Sequence, residues 1–480
     1  MNKIYIFIVM LIMALQATAQ TELSAFNLTG SAYSTTTATD YQCLGINPAN
    51  LGWNKGGNSM SLGLMESAFS VYAQPLTGHQ VVHDLFSNSL SLSMQERNLA
   101  AQNFNDKRFS ANISMTWLGF AYQDDKVGGF AFAIREGINW SSVLNNYGAR
   151  FLFLGYHDPY FDSLAIHGKD TVGYSKHPQK ASVLYKGTSQ NFLWTREYNL
   201  GYGRVIVNKE HVKWYGGINL KYMTVYAGTQ YSNSNSVDQL GFSALSPLFN
   251  VKYSTPTPSQ LSGSGLAKVG WGWGIDLGTT IQLYDKVRIG LALNDIGQVM
   301  YNGNVYEARD TRVWKISTSG LENYNIFSQG QLITADNPPN DSSFWKGLKN
   351  KSYSLPMNFR GGVSYRIVKQ LEVGTDFLIP VTKHVPGAYE SLVFGLGGKY
   401  DPADWVELSL GVTSSVNFGT NMPFGVTFYP FKGTTTWEIG VATRDIITVV
   451  NGKNPNVSMA FGFLRFGFGE KHDYSVKKSG

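Results

Sequence analysis

The chain of 480 residues is poor in cysteine, in charge and in long apolar runs, and each shortage excludes a class of protein. Cys43 is the only cysteine, so no internal disulfide can form, and it lies too far along the chain to anchor a lipid at a mature N-terminus. Beyond the first twenty residues no apolar stretch reaches the roughly 18 residues of a membrane-spanning helix. Any membrane span must therefore be built from strands.

Charged residues are only 15% of the chain, whereas soluble domains have roughly 25%. Aromatic residues reach 14%, and there are 51 glycines. The net charge of +6 is spread along the chain without a block of basic residues interleaved with aromatics, so we expect no nucleic-acid partner. This composition is typical of a protein that exposes apolar surface to something other than water.

The N-terminus has the features of an export signal. Lys3 precedes an apolar run from Ile4 to Leu15, and Ala17-Thr18-Ala19 is a small-x-small cleavage sequence. We therefore predict a signal peptide over residues 1–19, which is excluded from the fold.

The rest of the chain alternates between apolar and small or charged residues. From Trp271 to Gly278 every second residue is bulky and apolar, and the others are glycine or Asp276. From Val287 to Asn294 the same alternation places Arg288 opposite the apolar row. A soluble sandwich would also alternate. Small and charged residues on one face suit a polar lumen, however, and an outward row that ends in aromatics suits a membrane girdle.

We predict an all-β protein, a transmembrane antiparallel β-barrel of about 14 strands over residues 58–469, with short helices near one mouth between Gln80 and Asp106. Long and short connections roughly alternate, as the outer loops and periplasmic turns of outer-membrane barrels do. The location expected is the cell outer membrane, with outer-membrane lipid as a partner. The long loops are expected at about 74–108, 156–190, 228–266 and 298–355, and a polar tail at 470–480.

Residues 20–57 are predicted to form an N-terminal plug (hatch) inside the barrel. The segment is rich in Ser, Thr and Ala without periodicity, Pro48 cannot donate to a strand ladder, and Gly45 and Gly52 loosen the backbone. The alternative is an ordinary surface turn. The candidate plug residues are Leu44, Ile46, Asn47, Pro48, Ala49 and Leu51.

Several motifs resemble known outer-membrane proteins. Asn47-Pro48-Ala49 resembles the hatch of the FadL-type long-chain fatty-acid transporters of bacterial outer membranes. Leu293–Gly297, Leu355–Tyr365 and Thr443–Ile446 resemble motifs of a FadL-like family of unknown function that is widespread in Bacteroidota. The transporters carry a Gly/Ala-rich run before the hatch turn, whereas Ser31 to Asp40 is rich in threonine here.

The resemblance implies passive uptake of a hydrophobic or amphipathic small molecule. It also leaves an alternative, because some FadL-like barrels in the same bacteria serve secretion machinery or hold surface proteins. In that case the chain would be a non-transporting scaffold or docking barrel with secreted or surface proteins as partners.

Charges on the strands are expected to face the lumen, because facing lipid costs about 2–4 kcal/mol for Arg or Lys near the membrane midplane. Both signs occur, which fits either a salt-bridged network that holds the plug or a polar stretch of a permeation path. Such a lumen would not bind a fatty-acid tail, so a hydrophobic ligand would need a pocket between plug and wall, near Leu44, Ile46 and Leu51. The candidate lumen charges are Asp276, Arg288, Arg360, Arg366, Glu372, Asp376, Glu407, Glu438 and Arg444.

No catalytic, metal or cofactor site is predicted. His79 and His83 have helical i, i+4 spacing, but Asp84 is expected on another side of the helix, which favours a plain surface helix. Polar residues of one loop could form an enzyme site at the rim, but neighbours in a polar loop are usually just solvated. These loop residues are His157, Asp158, Asp162, Ser163 and His167.

Overall fold

The computed structural model describes residues 29–53, 59–84, 91–167, 170–232, 240–251, 253, 255–324, 345–383, 385–388, 391–415 and 419–469. The predicted signal peptide, the first residues of the predicted plug (20–28) and the predicted tail (470–480) lie outside the described residues.

Fourteen long antiparallel strands form a closed barrel, which confirms the predicted fold. Each strand pairs with its neighbours in the chain, and the first strand also pairs with the last, from Met60 opposite Phe468 to Tyr72 opposite Asn456. Closure leaves no free edge on the wall. The strands are β1 Met60–Ala73, β2 Arg108–Asp124, β3 Gly128–Val143, β4 Ser189–Lys209, β5 Val212–Ser232, β6 Gly270–Leu283, β7 Val287–Tyr301, β8 Asn358–Val368, β9 Leu371–Pro380, β10 Val393–Ala403, β11 Val406–Ser415, β12 Phe424–Lys432, β13 Thr435–Thr443 and β14 Asn456–Phe468.

The connections at the two ends of the barrel differ in length. At one end they are turns of two or three residues, such as 125–127 and 284–286, whereas those at the other end are longer. By the usual asymmetry of outer-membrane barrels, the long connections form the outer side. β5 and β7 run further than predicted, because their outer ends pair with the loop strands Gly241–Leu245 and Lys351–Ser354.

The described parts of the outer connections pack together into a cap at the outer end of the barrel. Its aromatic core includes Phe151, Phe161 and Tyr185, and burial raises the pKa of the Tyr185 hydroxyl. The helices are α1 Gly78–Asp84, α2 Met94–Phe104, α3 Asn146–Leu154, α4 Ala181–Leu184 and α5 Ile446–Asn451, and the 3₁₀ turns here are Gly155–His157 and Pro247–Phe249. The short strands Ser163–His167, Asp170–Tyr174 and Lys315–Ile316 form a separate sheet, and Gly241–Leu245, Val305–Ala308, Trp345–Gly347, Lys351–Ser354 and Gly419–Asn421 extend the barrel sheet.

The helices follow local capping signals. A capping box opens α2, since the Ser93 hydroxyl accepts from the Glu96 amide and the Glu96 carboxylate accepts from the Ser93 amide. Helices α3 and α5, which the alternation did not predict, begin after the side-chain caps Asn145 and Asp445. No helix among the described residues is long and apolar enough to cross a membrane.

The strand faces divide as the alternation predicts, apart from some of the charged side chains. On β6, Trp273 and Leu277 are 42% and 46% exposed, whereas Asp276 on the other face is fully buried. One pair of charges lies on the outer face of β3 and β4, where Glu136 accepts from Arg196 at 2.7 Å. The expectation that strand charges face the lumen is therefore wrong for this pair. The pair is tolerated there because two indole groups also donate to Glu136.

Residues 29–53, the plug, fill part of the barrel, and all but three of them are buried. Two 3₁₀ turns, Asp40–Cys43 and Pro48–Gly52, shape the segment. The second turn begins in the usual way, because the Asn47 side chain accepts from the Ala49 amide and Pro48 occupies the first position. The plug is therefore a compact unit packed inside the wall.

Candidate functional site

The plug touches the wall where the wall has glycine in place of a side chain. A Cβ on Gly119 would lie 2.2 Å from the Tyr41 ring, and one on Gly278 would lie 2.1 Å from the Asn47 amide oxygen. The alternation predicts only that the glycines of β6 face a polar lumen, and the structure shows in addition that Gly278 leaves room for the side chains of Asn47 and Pro48. Other wall glycines with the same role are Gly63, Gly129, Gly201, Gly203, Gly217, Gly290, Gly374, Gly395 and Gly397.

The Asn-Pro-Ala turn is fixed by its two asparagines. Asn47 Nδ2 donates to Thr280 Oγ1 at 2.9 Å and to the Thr35 carbonyl at 3.1 Å, and Thr280 Oγ1 donates to Asn50 Oδ1 at 2.7 Å. The predicted plug residues Leu44 and Ile46 are buried, and Pro48 contacts Gly203 and Gly217 of the wall. The turn is therefore an anchor of the plug on β6.

The apolar plug residues pack against small wall residues. Leu44, Ile46 and Leu51 form a cluster with wall alanines of β2 and β3, including Ala121 and Ala131. None of the three borders the cavity described below. The structure therefore places them in the plug–wall contact, away from the pocket that we expected them to line.

Three of the predicted lumen charges meet at the inner end of the barrel. Arg288 Nη2 lies 2.5 Å from Glu372 Oε2, and its guanidinium lies over the Trp53 ring at 4.3 Å. Arg288 also donates to the Thr36 carbonyl at 3.4 Å. Arg366 lies 3.8 Å from the same Glu372 carboxylate and is 40% exposed. This group contacts the plug.

Asp376 holds the first residues of the plug. One carboxylate oxygen accepts from the Ser34 amide at 2.6 Å, from the Thr35 amide at 2.8 Å and from the Thr35 hydroxyl at 2.9 Å. Arg360, on the neighbouring strand, acts electrostatically on this carboxylate. Ser34 and Thr35 therefore help to hold the plug, because they donate hydrogen bonds to the Asp376 carboxylate of the wall.

A second ionic group joins the plug to the last strand. Arg465 of β14 contacts Asp40 of the plug at 2.5 Å and also contacts Glu438 of β13. Beside them, Glu66 of β1 accepts from the Tyr41 hydroxyl at 2.8 Å. The sequence predicts Glu438 as a lumen charge but does not predict Arg465, because the sequence around an arginine in a strand does not indicate which residue it pairs with.

Two predicted charges belong to local contacts of the wall. Glu407 lies 3.7 Å from Lys399 on the neighbouring strand. Arg444 is buried, and its backbone amide donates to the Ser458 hydroxyl of β14 at 2.8 Å. The predicted lumen charges therefore belong to several separate groups.

The remaining predicted lumen charge, Asp276, belongs to a group that forms the floor of an open space. Lys221 Nζ lies 2.5 Å from Asp295 and 3.0 Å from Asp276, and Asn219 donates to Asp276 at 2.7 Å. Asp295 reaches the lysine from a bulge in β7, where its backbone is left-handed with φ of 63°. The Asn-Asp-Ile-Gly motif therefore positions a buried carboxylate.

A cavity of about 220 Å³ lies between the plug and the outer loops. Gly45 of the plug and Pro356 of an outer connection both line it. Between β3 and β4, two of the strands that line the cavity, the wall has no gap, because the two strands pair at every residue from Gly129 to Val143. The side chains that line the cavity include the apolar Leu193, Met223, Val299 and Leu355 and the polar Ser114, Arg135, Asn139, Glu197, Lys221, Asp295, Asn358 and Arg360.

The described residues considered for chemistry make contacts with other groups. Asp158 is buried and bound by Arg150 through two contacts of 2.7 and 2.8 Å, while Ser163 begins a strand and the side chain of His167 lies outside the described part. His83 contacts its neighbour Asp84 at 2.8 Å instead of sharing a ligand with His79. In the described ranges no three His, Cys, Asp or Glu residues are grouped as metal ligands.

A family model described as a family of unknown function (DUF5723) matches residues 58–434. The chain belongs to this family. The DUF5723 match covers β1 to β12 and not the plug. A comparison with curated proteins finds no match.

Solved outer-membrane barrels align with this DUF5723 chain over most of its length. The Ralstonia pickettii toluene transporter TbuX is 13% identical, with 92% of this chain and 97% of that chain covered and a TM-score of 0.39. The Pseudomonas putida toluene transporter TodX is 10% identical, with 94% and 98% covered and a TM-score of 0.39. A Pseudomonas aeruginosa FadL homologue is 9% identical, with 94% and 99% covered and a TM-score of 0.40. At these values the matches do not identify a ligand.

Proposed function

We propose that this barrel takes up a small amphipathic molecule across the outer membrane. The observation that carries the proposal is the cavity between the outer loops and the plug, because its position is that of a site filled before the plug moves. A barrel that served only as a scaffold would gain nothing from an internal cavity with both apolar and charged walls.

The size and lining of the cavity define the class of molecule. A volume of about 220 Å³ exceeds the cavity of about 150 Å³ that can hold a benzene ring. Apolar side chains such as Met223 and Val299 share the wall with Glu197 and Asn358. Ligand sites of this kind combine apolar contact with a few placed polar groups. A long acyl chain does not fit here, and a compact molecule with one apolar and one polar end does.

Passage would require the plug to rearrange, since its residues fill the lumen below the cavity. The contacts that hold it are hydrogen bonds and ion pairs, such as Asp376 with Thr35 and Arg465 with Asp40. Arg135 links the two parts directly, because it lines the cavity and donates to the plug carbonyls of Tyr41 and Leu44. A molecule that contacts Arg135 would therefore compete with the plug for its donors.

The proposal can be tested by swelling of liposomes that contain the purified chain. The solutes are L-phenylalanine, phenyltrimethylammonium and benzenesulfonate, which share a ring and differ in charge, with arabinose as the control. We expect at least one ring solute to enter faster than arabinose, and we expect all four to enter quickly when residues 29–53 are deleted. Wild-type rates equal to those of empty liposomes for every ring solute would contradict uptake.

A docking barrel is the second candidate, and one observation favours it. The cap has an edge strand, Ser163–His167, on which Leu164 and Ile166 are 56% and 77% exposed. Exposed apolar residues on a free strand edge can pair with another protein. The second candidate predicts no entry of any ring solute into liposomes, so the same experiment separates the two.

A further inference from the structure

We infer that the molecule bound in the cavity carries a cationic amine group, and that Glu197 binds this group. The inference rests on the proposed function and names the substrate class of the same cavity.

Glu197 is a carboxylate of the cavity with no ion-pair partner at contact distance among the described residues. It lies on the lumen face of β4, between the inward residues Thr195 and Asn199, and it lines the cavity. Within the described ranges it makes no hydrogen bond or ion pair. The other carboxylates near the cavity are bound, since Glu136 pairs with Arg196, and Lys221 is shared by Asp276 and Asp295.

The charges around the cavity leave an excess of negative charge. Glu197 acts on the Lys221 ammonium together with Asp276 and Asp295, so three carboxylates surround one cation. Arg135 adds one further cation, and two cations against three anions leave a net charge of −1.

Arg360, the remaining cation on the cavity wall, is balanced by the buried Asp376. A confined site with walls of low dielectric concentrates this excess field, and a cationic ligand is the partner that neutralises it.

Other residues of the lining supply the apolar contact. Leu193, Met223, Val299 and Leu355 line the cavity together with the ring of Tyr301. A ring or short branched chain would pack there while an amine reaches Glu197. A permanently hydrophobic molecule such as an alkane would leave the carboxylate and its excess charge unpaired, which costs free energy in a confined site.

The size of the cavity can be changed without disturbing its charges. Gly137 of β3 lines the cavity, and a Cβ there would meet only the Asn139 amide nitrogen, at 3.8 Å. The exchange Gly137→Leu is therefore expected to fold and to fill the cavity. Gly433, in an inner turn with no atom within 4 Å of its Cβ position, gives the matched control Gly433→Leu.

The test measures binding of two probes to the full chain in detergent by calorimetry. 2-Phenylethylamine and 2-phenylethanol share a ring and a chain length and differ in the cationic group. We expect the amine to bind more tightly than the alcohol. Glu197→Gln should weaken binding of the amine by about tenfold or more, which is the loss expected for a hydrogen bond to a charged group. The same exchange should leave the affinity for the alcohol unchanged.

The exchange Glu210→Gln, in an exposed inner turn, is the control and should change neither probe. Gly137→Leu should abolish binding of both. Unchanged amine affinity in Glu197→Gln, with both probes lost in Gly137→Leu, would overturn the assignment of the amine and leave the cavity as a binding site. Absence of binding of both probes to the wild type would overturn the assignment and count against the proposed uptake as well. Retained alcohol binding in Glu197→Gln shows that the variant is folded.

Discussion

Arg465 Nη2 lies 2.5 Å from Asp40 Oδ2, although 425 positions separate the two residues in the chain. The contact joins the strand that closes the barrel to the plug. Both side chains are nearly inaccessible to solvent, and Asp40 has a left-handed backbone with φ of 51°. Such a conformation is uncommon for a residue other than glycine, so the surrounding contacts must fix it.

The exchange Arg465→Met should release the plug. It leaves Asp40 and Glu438 buried without a cation, and removing one partner of a buried ion pair costs about 3–5 kcal/mol. We expect a lower midpoint of thermal unfolding. The midpoint is measured from the change in gel mobility between heated and unheated samples. Arg204→Met, at an exposed position of β4, is the control. An unchanged midpoint in Arg465→Met would mean that the contact does not hold the plug.

The glycines of the wall should be needed for their lack of a side chain. In Gly119→Ala the new Cβ would collide with the Tyr41 ring, and overpacking of this kind costs about 1–3 kcal/mol. Cys43 is fully buried in the plug, so its reaction with a maleimide reports displacement. We expect Gly119→Ala to react faster than wild type, and Gly433→Ala to react like wild type.

The second exchange Tyr41→Ala should slow the reaction again in the Gly119→Ala background, because it makes room for the added methyl. Equal maleimide rates in wild type and Gly119→Ala would show that the plug tolerates the methyl group, and the proposed role of these glycines would be wrong.

Asp376 should order the start of the plug. In Asp376→Asn an amide group replaces the carboxylate, so one acceptor oxygen and the negative charge are lost. Hydrogen bonds to a charged group contribute about 1.5–3 kcal/mol each. We expect limited proteolysis to cut near Ser34 and Thr35 in the variant and not in the wild type. Asp285→Asn, in an exposed turn, should show the wild-type pattern. Protection of this segment in Asp376→Asn would contradict the role.

The outward pair of Glu136 and Arg196 should be coupled. Arg196→Leu alone leaves a carboxylate on the outer face of the wall, whereas the double exchange with Glu136→Leu leaves an apolar surface. We expect the single variant to unfold at lower temperature than the double variant, with a coupling free energy of about 0.5–3 kcal/mol. Additive effects of the two exchanges would indicate that the pair is independent.

The alternation of residues was sufficient to predict the barrel, because a two-residue period and a difference in loop length are properties of each strand alone. Trp273 and Asp276 could be assigned to opposite faces in this way. The plug could be placed inside but not docked, since its contacts with Arg465 and Gly119 depend on residues far apart in the chain.

The cavity could not be predicted from the sequence either. Its lining comes from the plug, from six strands of the barrel and from outer connections. The sequence around Glu197 does not indicate that this residue lines a cavity. What identifies Glu197 is that Asp276 and Asp295 form ion pairs with Lys221 at contact distance while Glu197 does not, and this is visible only after folding.

The most direct test of the account is the rate at which phenyltrimethylammonium enters liposomes that contain wild type, Gly137→Leu or Gly433→Leu. Uptake through the cavity predicts that wild type and Gly433→Leu admit the solute faster than arabinose, and that Gly137→Leu admits it no faster than arabinose. Equal rates in all three proteins would show that the cavity is not on the path of any molecule, which would contradict the central claim.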